Sequence, residues 1–350
     1  MQSMYHSLNR DSNVPGEMLT DASQLQAIRD SISLDMKTAT NDLYNYVRLK
    51  QCAQQNETDL LGGLVKIKIY QDDQDDTSPV VEEYYYKIDD ISNARARYPI
   101  SAINLCDHEP YPHVEYISDY ENMVYCKDTE SINQNIHNKC SGCTCPGVCG
   151  DKCSCCLLQE NKHCSYDANG LLKPGEGVDD KIFECNMNCS CDQFCNNRVV
   201  QRGSPELVLQ VFKTMNKGWG VRTLVDIKAH QFIQEYLGEV ILEAEAESRG
   251  DIYDERGCSY LFDMAGGDNK YTIDAYRYGN LTRFFNHSCG PNMLSVRVGV
   301  DVQDDYVSRI AFFAKRDISA MEELNFDYKY QIYKKMKCYC GAATCRQWVQ

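Results

Sequence analysis

Short runs of apolar residues, separated by turn residues, follow one another through the second half of the chain. After Gly203 these runs are rich in β-branched and aromatic residues and are bounded by Gly, Asn and Asp. Such composition favours strands over helices. The pattern therefore predicts a β-rich domain built on LVLQVF, FIQEYLGEVIL, SYLFDM, KYTIDA, SVRVGVDV and SRIAFFA.

The first sixty residues have a different pattern. Thr20 and Asp21 are suited to cap a helix, and apolar positions recur from Leu25 toward Val47. We therefore expect one or two helices within residues 1–60, packed against the rest of the chain or binding a partner.

Two alternating runs follow this N-terminal part, at residues 64–70 and 80–86, and the acidic segment 72–76 lies between them. Alternation of apolar and polar residues is typical of a strand with one buried face. The runs predict a hairpin, and its acidic turn is most simply a solvated loop.

Between Cys140 and Cys195 the composition changes to cysteine with Gly, Asn and Asp, leaving too few aliphatic residues for an ordinary core. The N-terminus has neither the basic nor the apolar region of a secretory signal peptide, and no apolar run approaches the roughly 18 residues of a membrane span. We therefore expect a reducing compartment, in which the 20 Cys bind metal more readily than they form disulfides.

The cysteine-rich region contains two groups of cysteines separated by a loop. Tetrahedral zinc takes four ligands, so nine thiolates can hold three ions only if some sulfur atoms bridge two of them. An all-thiolate shell leaves no open coordination position, which indicates a structural role. The spacing leaves open whether Cys155 or Cys156 completes the first group. The nine expected ligands are Cys143, Cys145, Cys149, Cys153, Cys155, Cys185, Cys189, Cys191 and Cys195.

A last group of cysteines closes the sequence with the spacing C-x-C-x4-C. Three thiolates need a fourth ligand from elsewhere to form a closed zinc site. Cys289 is the candidate, although a lone cysteine is more often a small buried apolar residue. The second predicted zinc site therefore contains Cys289, Cys338, Cys340 and Cys345.

The formal net charge of the chain is -15. Binding to nucleic acid through phosphates requires an excess of Lys and Arg, so direct, sequence-specific nucleic-acid binding is not expected. The charge favours a basic partner, or it serves solubility alone.

Four further motifs occur in a fixed order: GWGVR at 218–222, EYLGE at 235–239, RFFNHSCGPN at 283–292 and ELNFDY at 323–328. Together with the cysteine groups on either side, they resemble SET-domain histone lysine methyltransferases with pre-SET and post-SET zinc modules. The resemblance covers roughly residues 90–350. Through the lead-in at 98–117 it is closest to the euchromatic and suppressor-of-variegation class, which modifies lysine 9 of histone H3.

The resemblance implies a mainly β structure with some α-helix. This is the SET fold, a set of small β-sheets in which the NHSC segment and the C-terminal strand form a pseudoknot. A pre-SET module with three zinc ions precedes it, and a zinc-binding post-SET module follows it. The expected boundaries are 1–60 for an N-terminal helical region, 61–139 for a β-containing lead-in, 140–202 for pre-SET, 203–332 for SET and 333–350 for post-SET.

The implied reaction is transfer of a methyl group from S-adenosylmethionine to a lysine amine, which must be neutral, held close and aligned. The resemblance assigns the aromatic lysine channel to Tyr236, Tyr260, Phe326 and Tyr328, with Tyr328 supplying the key hydroxyl. Phe at 326 leaves room for a bulkier amine than Tyr would, so di- or trimethylation is expected. The resemblance assigns the cofactor pocket to Lys217, Gly218, Trp219, Tyr260, Arg283, Asn286, His287 and Tyr339.

The expected partner is the histone H3 tail, and the expected location is nuclear chromatin, where such an enzyme would act in heterochromatin formation and gene silencing. Acidic residues after EYLGE, from Glu243 to Asp263, form either a groove for that basic tail or a solvated loop. A chromatin adaptor could bind the N-terminal region, and no membrane association is expected. Two alternatives stay open: a methyltransferase for a non-histone lysine, and a non-catalytic SET-fold scaffold or reader.

Overall fold

The computed structural model describes residues 64–69, 81–107, 109–120, 123–126, 129, 141–159, 161–176, 181–204, 206–256, 258–265, 270–300, 307–329 and 336–349. The predicted N-terminal helices and the acidic turn at 72–76 lie outside these residues. The predicted hairpin is confirmed, because Leu64–Ile69 and Val81–Ile88 pair antiparallel with Leu64 opposite Tyr86. This hairpin belongs to one compact unit, and residues 88–103 and 110–349 belong to another.

The described residues are mainly β. The strands are β1 Leu64–Ile69, β2 Val81–Ile88, β3 Ala102–Asn104, β4 Glu115–Tyr116, β5 Val124–Tyr125, β6 Ile182–Phe183, β7 Leu209–Lys213, β8 Trp219–Thr223, β9 Phe232–Tyr236, β10 Glu239–Leu242, β11 Leu261–Asp263, β12 Tyr271–Asp274, β13 Tyr278–Gly279, β14 Asn286–His287, β15 Met293–Gly299, β16 Arg309–Ala314 and β17 Glu323–Phe326. The α-helices are α1 Val199–Arg202 and α2 Glu243–Arg256, and 3₁₀ turns occupy Cys156–Leu158 and Leu281–Phe284.

Three of the four sequence motifs meet in one sheet, where the strands run in the order β3-β7-β8-β17-β14. β17 pairs antiparallel with β8, with Leu324 opposite Val221. It pairs parallel with β14 on its other side, with His287 opposite Phe326. The parallel pairing joins segments far apart in sequence, and it brings the NHSC segment against the C-terminal strand as the SET fold requires.

The fourth motif, EYLGE, begins on β9 of a second sheet, of order β6-β15-β16-β9, and ends on β10 of a third. β6 comes from the cysteine-rich region and pairs with β15, so the zinc module is joined to the β-rich domain by a strand. The core beneath this sheet mixes residues of both modules. Burial of each aliphatic or aromatic side chain stabilises the fold by roughly 1.5–3 kcal/mol. The core contains Tyr166, Leu172, Ile182, Val199, Val200, Phe232, Val296, Val298, Val300, Ala311 and Phe313.

A third sheet, of order β11-β12-β10-β5, carries helix α2 on it. The acidic residues expected in a groove or a solvated loop begin on this helix, which is rich in the strong helix formers Glu and Ala. The small pair β13-β4 completes the sheets of the described residues. None of their helices is long and apolar enough to cross a membrane. The mainly β SET fold expected from the sequence is confirmed.

Candidate active site and metal centres

An aromatic cluster lies around Phe326, at the end of β17. Its ring centroid is 5.9 Å from that of Phe262, 4.8 Å from that of Phe312 and 4.8 Å from that of Tyr328. Tyr236, at the end of β9, joins the cluster through Phe262 at 5.2 Å. Strands from two sheets thus bring Tyr236, Phe326 and Tyr328 together, with Phe262 from a third sheet between them, as expected of a channel for a lysine side chain.

Two hydroxyl groups of this cluster are held by the backbone. The Tyr328 hydroxyl donates to the Phe285 carbonyl oxygen at 2.7 Å, and the Tyr236 hydroxyl donates to the Tyr260 carbonyl oxygen at 2.7 Å. A phenol oxygen that donates its proton in this way can still accept a hydrogen bond. Both oxygens are therefore suited to orient an amine N–H.

Tyr260 and Arg283 form one wall beside the cluster. The Arg283 guanidinium carbon lies 4.0 Å from the centroid of the Tyr260 ring, a cation–π contact. Arg283 Nε donates to the Ala275 carbonyl oxygen at 2.7 Å, and its Nη2 donates to that of Tyr276 at 3.0 Å. These contacts fix the guanidinium in a buried position.

A second wall begins at the tight turn before β8. Gly218 has φ +69, a conformation that L side chains rarely adopt. The Lys217 ammonium forms an ion pair with Glu323 Oε2. Asn286 Nδ2 donates to the Trp219 carbonyl oxygen at 3.2 Å and to Glu323 Oε1 at 2.9 Å. Glu323 therefore links Lys217, in the turn before β8, to Asn286 on β14.

The backbone of β8 must pass close to this pair. A Cβ at Gly220 would lie 3.0 Å from both Asn286 Nδ2 and Glu323 Oε1. A larger residue would push the Asn286 amide out of its position, which explains the second glycine of the GWG motif in local terms.

Two donors of these walls are buried without a hydrogen-bond partner among the described residues, Trp219 Nε1 and Arg283 Nη1. Buried donors left unpaired cost about 1–3 kcal/mol each. Two such donors are suited to bind the acceptor atoms of a polar ligand. The residues present thus fit a cofactor that offers hydrogen-bond acceptors and an aromatic group.

His287 connects this pocket to the C-terminal thiolates. Its Nδ1 accepts a hydrogen bond from the Tyr328 backbone N–H at 3.2 Å, so its Nε2, 3.3 Å from Cys289 Sγ, carries the proton. Burial lowers the pKa of His287, although Asp327 opposes this effect. The imidazole therefore spans the distance between Tyr328 and Cys289.

The C-terminal cysteines gather as the sequence predicts. The sulfur atoms of Cys289, Cys338, Cys340 and Cys345 all lie within 4.8 Å of one another and could hold a metal ion. Burial raises the pKa of Cys338 to about 12, whereas for Cys340 hydrogen bonds from the backbone and from neighbouring thiols outweigh burial and lower the pKa to about 6. A thiolate at neutral pH is the form that binds zinc.

An ion pair joins this C-terminal segment to the end of β17. Arg346 Nη1 and Nη2 donate to the two carboxylate oxygens of Asp327 at 2.9 and 2.7 Å. Burial raises the pKa of Asp327, but the bonds from Arg346 lower it below its usual value. Asp327 precedes Tyr328, so the contact connects the thiolate site with the aromatic cluster.

Tyr339 and the acidic residues of α2 lie apart from these contacts. Tyr339 is 49% exposed, and the Lys337 ammonium lies 5.2 Å from its ring centroid. On α2, Glu243, Glu247, Asp251 and Asp254 are exposed, as is Asp263 on β11. Their expected roles, in closing the pocket and in binding a basic peptide, stay predictions.

The cysteines of the pre-SET region form a compact thiol cluster. Three overlapping groups of four have sulfur atoms within 4.8 Å of one another, and each could hold a metal ion. Cys185 belongs to all three groups, whereas Cys143 and Cys149 each belong to two. The groups are Cys143, Cys155, Cys185 and Cys189; Cys143, Cys149, Cys153 and Cys185; and Cys149, Cys185, Cys191 and Cys195.

Shared thiolates are what the sequence predicts for three ions among nine ligands. The predicted ligand Cys145 is in none of the three groups, but it makes side-chain hydrogen bonds with Cys153 and Cys149. Cys145 therefore lies beside the second group. With Cys145 in place of Cys185 there, Cys143, Cys149 and Cys185 would each bridge two ions.

The open choice between Cys155 and Cys156 has a geometric answer. Cys155 Sγ lies 3.5 Å from Cys189 Sγ within a metal-binding group. Cys156 instead forms a disulfide with Cys164, with 4.5 Å between the Cα atoms. The structure thus places Cys155, and not Cys156, in a group that could hold a metal ion.

Several residues of the site were not anticipated from the sequence. The Tyr111 ring lies 5.6 Å from that of Trp219 and 5.5 Å from that of Phe284. Tyr111 is distant from both in sequence, and no motif or spacing around it indicates this contact. Phe262 follows Tyr260 by two positions, so strand alternation could have identified it. Glu323 is the first residue of the ELNFDY motif, but its two partners, Lys217 and Asn286, are distant in sequence.

Comparisons with known proteins agree with this geometry. Residues 92–198 match the Pre-SET motif, and residues 218–329 match the SET domain. The H3 lysine-9 specific histone-lysine N-methyltransferase of Schizosaccharomyces pombe is 39% identical over 277 residues, which cover 71% of this chain and 55% of that protein. The chain spans about half the length of the curated relatives that it matches, as with 53% of human SUV39H2.

Solved structures are also similar. KRYPTONITE, in complex with mCHH DNA, an H3(1-15) peptide and SAH, is 31% identical with a TM-score of 0.63, over 75% of this chain and 54% of that one. The Neurospora SET domain protein DIM-5, a histone lysine methyltransferase, is 32% identical with a TM-score of 0.58, over 69% of this chain and 99% of that one. The chain therefore belongs to the family of SET-domain proteins with a Pre-SET motif that includes these histone lysine methyltransferases.

Proposed function

We propose that this chain is a protein lysine N-methyltransferase that transfers methyl groups from S-adenosylmethionine to lysine 9 of the histone H3 tail. The observation that carries the proposal is the aromatic cluster around Phe326 and Tyr328, adjoining a pocket with unpaired buried donors. The relative from Schizosaccharomyces pombe is H3 lysine-9 specific, and KRYPTONITE has been crystallised with an H3(1-15) peptide and SAH. Nuclear chromatin is the proposed location.

The aromatic cluster would act on the lysine. Its low polarity favours the neutral amine over the ammonium ion, since burial disfavours charge. The Tyr328 oxygen, held by the Phe285 carbonyl, would accept one amine N–H and aim the nitrogen lone pair. Ring faces would stabilise the positive charge that develops on nitrogen.

The cofactor, when bound, supplies a methyl group on a sulfonium sulfur. The amine that the Tyr328 oxygen orients would receive this methyl group, and its proton would pass to solvent. We assign the cofactor's binding to Lys217, Gly218, Trp219, Tyr260, Arg283, Asn286, His287 and Tyr339. Two of these residues have buried donors without a hydrogen-bond partner in the described part of the chain, Arg283 Nη1 and Trp219 Nε1.

The thirteen predicted thiolate ligands would hold four zinc ions with structural roles, three in the pre-SET cluster and one at Cys289, Cys338, Cys340 and Cys345. Closed thiolate sites leave no position for substrate. The C-terminal ion would hold the segment after β17 in place, because it would join Cys338, Cys340 and Cys345 to Cys289, two residues after His287. Cys289 itself contributes no group to the channel.

The proposal is tested with the purified chain, labelled S-adenosylmethionine and H3(1-15) peptides. We expect transfer to the wild-type peptide and none when lysine 9 is replaced by alanine. Tyr328→Phe keeps the ring and removes the hydroxyl, and it should reduce turnover by about 100-fold, as expected for misplacement of a reacting group.

The same assay separates the alternatives. Transfer to nuclear extract proteins but to no H3 peptide would indicate a non-histone lysine substrate. Binding of a methylated peptide without any transfer would indicate a scaffold or reader. Either result would overturn the proposed function.

A further inference from the structure

Arg249 of helix α2 bonds to two strands of the sheet below the helix. Arg249 Nη1 lies 2.7 Å from Glu239 Oε2 and 2.7 Å from Asp274 Oδ2, and its Nε lies 2.8 Å from Glu245 Oε1. Glu245 is on the same helix, one turn earlier, whereas Glu239 and Asp274 belong to β10 and β12. Arg249 therefore connects the helix to two strands at once.

Asp274, on β12, accepts hydrogen bonds from helix α2 and from the chain after β12. Its side chain is only 2% exposed. Besides Arg249, its Oδ2 accepts from the Tyr253 hydroxyl at 2.8 Å, and its Oδ1 accepts from the Tyr276 backbone N–H at 2.9 Å. The Tyr253 ring also stacks on the Tyr276 ring, with centroids 4.9 Å apart. The carboxylate thus fixes the course of the chain just after β12.

That segment supports three residues of the candidate active site. The Ala275 carbonyl oxygen accepts from Arg283 Nε, and the Tyr276 carbonyl oxygen accepts from Arg283 Nη2. The Ala275 N–H donates to the Tyr260 carbonyl oxygen at 3.0 Å, the same oxygen that accepts from the Tyr236 hydroxyl. Residues 275 and 276 therefore hold Arg283, Tyr260 and, through Tyr260, Tyr236.

We infer that Asp274, Arg249 and Tyr253 are positioning residues that set the Tyr260–Arg283 wall of the cofactor pocket, an inference that rests on the proposed function. Arg249 and Tyr253 act through Asp274, and Asp274 acts through the backbone of residues 275 and 276. A substitution of Arg249 or Tyr253 on α2 therefore changes the position of the Tyr260–Arg283 wall.

The charges of Arg249 and its three carboxylate partners hold Asp274 in one position. Burial disfavours the Arg249 cation, but its bonds to Glu239, Asp274 and Glu245 raise its pKa, so it is charged at every physiological pH. Removing the guanidinium would leave the buried Asp274 carboxylate without its cation. A buried unpaired charge is costly, so Asp274 would turn toward water and release its bond to the Tyr276 N–H.

The test compares Arg249→Ala, Arg249→Lys and Tyr253→Phe with the matched control Arg277→Ala. Arg277 forms an exposed ion pair with Glu115 at 3.3 Å, and its guanidinium lies over the ring of Tyr278, which is not an assigned pocket residue. The readouts are the Kd of SAH by calorimetry, without any peptide, and the KM for S-adenosylmethionine and kcat on the H3 peptide.

We expect Arg249→Ala to raise the Kd of SAH and the KM for S-adenosylmethionine about tenfold, with kcat changed less than threefold. Tyr253→Phe should raise both constants about threefold, Arg249→Lys should restore part of the loss, and Arg277→Ala should have no effect. A general loss of stability would lower active enzyme and kcat without this selective change. If Arg249→Ala does not fold, the single-hydroxyl change Tyr253→Phe decides the matter.

Unchanged SAH affinity in Tyr253→Phe and in any folded Arg249→Ala would overturn the inference. If the wild-type chain binds SAH but methylates no histone peptide, the proposed substrate is wrong while the affinity comparison still judges the positioning residues. If the wild-type chain does not bind SAH, both ideas are wrong.

Discussion

Phe326 is the residue around which the candidate channel is built. It is 6% exposed, and its ring contacts aromatic rings from β11, β16 and the segment after β17. Because it has no hydroxyl group, it cannot hold a water molecule that would fill the space beside the amine. We therefore expect the proposed channel to accept an amine that already carries methyl groups.

We expect Phe326→Tyr to shift the product from di- or trimethyl toward monomethyl lysine, lowering the trimethylated fraction about tenfold. The added hydroxyl occupies space that a methylated amine needs, while the ring and its packing are kept. Mass spectrometry of the H3 peptide after extended reaction measures the distribution. An unchanged distribution, with wild-type zinc content and cofactor affinity, would contradict the explanation.

Glu235 is a buried carboxyl group on the face of β9 opposite Tyr236. Burial raises its pKa to about 7, against the lowering effect of Arg309, whose Nη1 lies 3.8 Å from Glu235 Oε2. The carboxylates of Glu184 and Asp119 raise it further. Near this group the Arg309 guanidinium carbon lies 4.1 Å from the Tyr120 ring centroid.

This raised pKa predicts a pH-dependent stability. A carboxyl group with a pKa raised in the folded state stabilises the fold fully below its unfolded pKa, near 4.5, and this contribution is lost as pH rises through about 7. The loss would be at most about 3 kcal/mol. Denaturant unfolding of the wild type and of Glu235→Gln between pH 5.5 and 7.5 tests it. We expect the variant to have the flatter profile, and parallel profiles would refute the assignment.

Among single residues, the sequence identified those that belong to motifs. Tyr236, Phe326 and Tyr328 meet as expected, because each stands at or just past the end of a strand that the apolar pattern also predicts. Tyr111, Asp274 and Arg249 could not be identified in this way. Their importance comes from contacts made across strands and helices that are distant in sequence, and no local spacing encodes those contacts.

At the level of elements, the short strand β14 connects two sites with different chemistry. Its residues Asn286 and His287 face the pocket and the Tyr328 backbone, and Cys289 follows within two residues. A metal ion at the C-terminal thiolates would therefore fix β14 and residues 336–349 together. Arg346 adds a second connection, through Asp327.

We expect Cys289→Ser to lose one zinc ion, to increase hydrogen exchange in residues 336–349 and to abolish methyl transfer, although Cys289 touches no substrate in the proposed mechanism. Serine cannot supply the thiolate that a closed site needs. Cys106→Ser is the matched control, since Cys106 lies outside the four thiol groups and should retain zinc content and activity. Full activity in Cys289→Ser would refute the coupling.

The elements themselves were predictable to different degrees. Alternating and apolar runs predicted the hairpin β1-β2 and most strands after Gly203, because each run has the length and composition of a strand. The pairing of β14 with β17 was expected only from the family resemblance, since parallel pairing across a threaded connection has no local pattern. The acidic residues expected in a groove or a solvated loop begin on helix α2, because Glu and Ala favour helix where no Pro intervenes before Arg256.

At the scale of the whole molecule, the pre-SET module has cysteine sulfurs where a larger domain would have an aliphatic core. Eleven cysteine side chains pack together there, and nine of them are buried. Metal binding by such a module supplies folding free energy directly. Strand β6 of this module pairs with β15 of the β-rich domain, so a folded module would also stabilise that domain.

The shared thiolates make the loss of zinc depend on which cysteine is removed. Cys185 belongs to all three pre-SET groups, whereas Cys189 belongs to one. We expect Cys185→Ser to lose two or more of the four zinc ions and to unfold at much lower denaturant concentration, because a bridging thiolate serves more than one ion. Cys189→Ser should lose at most one ion and keep part of its activity. Zinc content measured by mass spectrometry, with urea unfolding in parallel, distinguishes the two; equal losses would mean that the ions do not share Cys185.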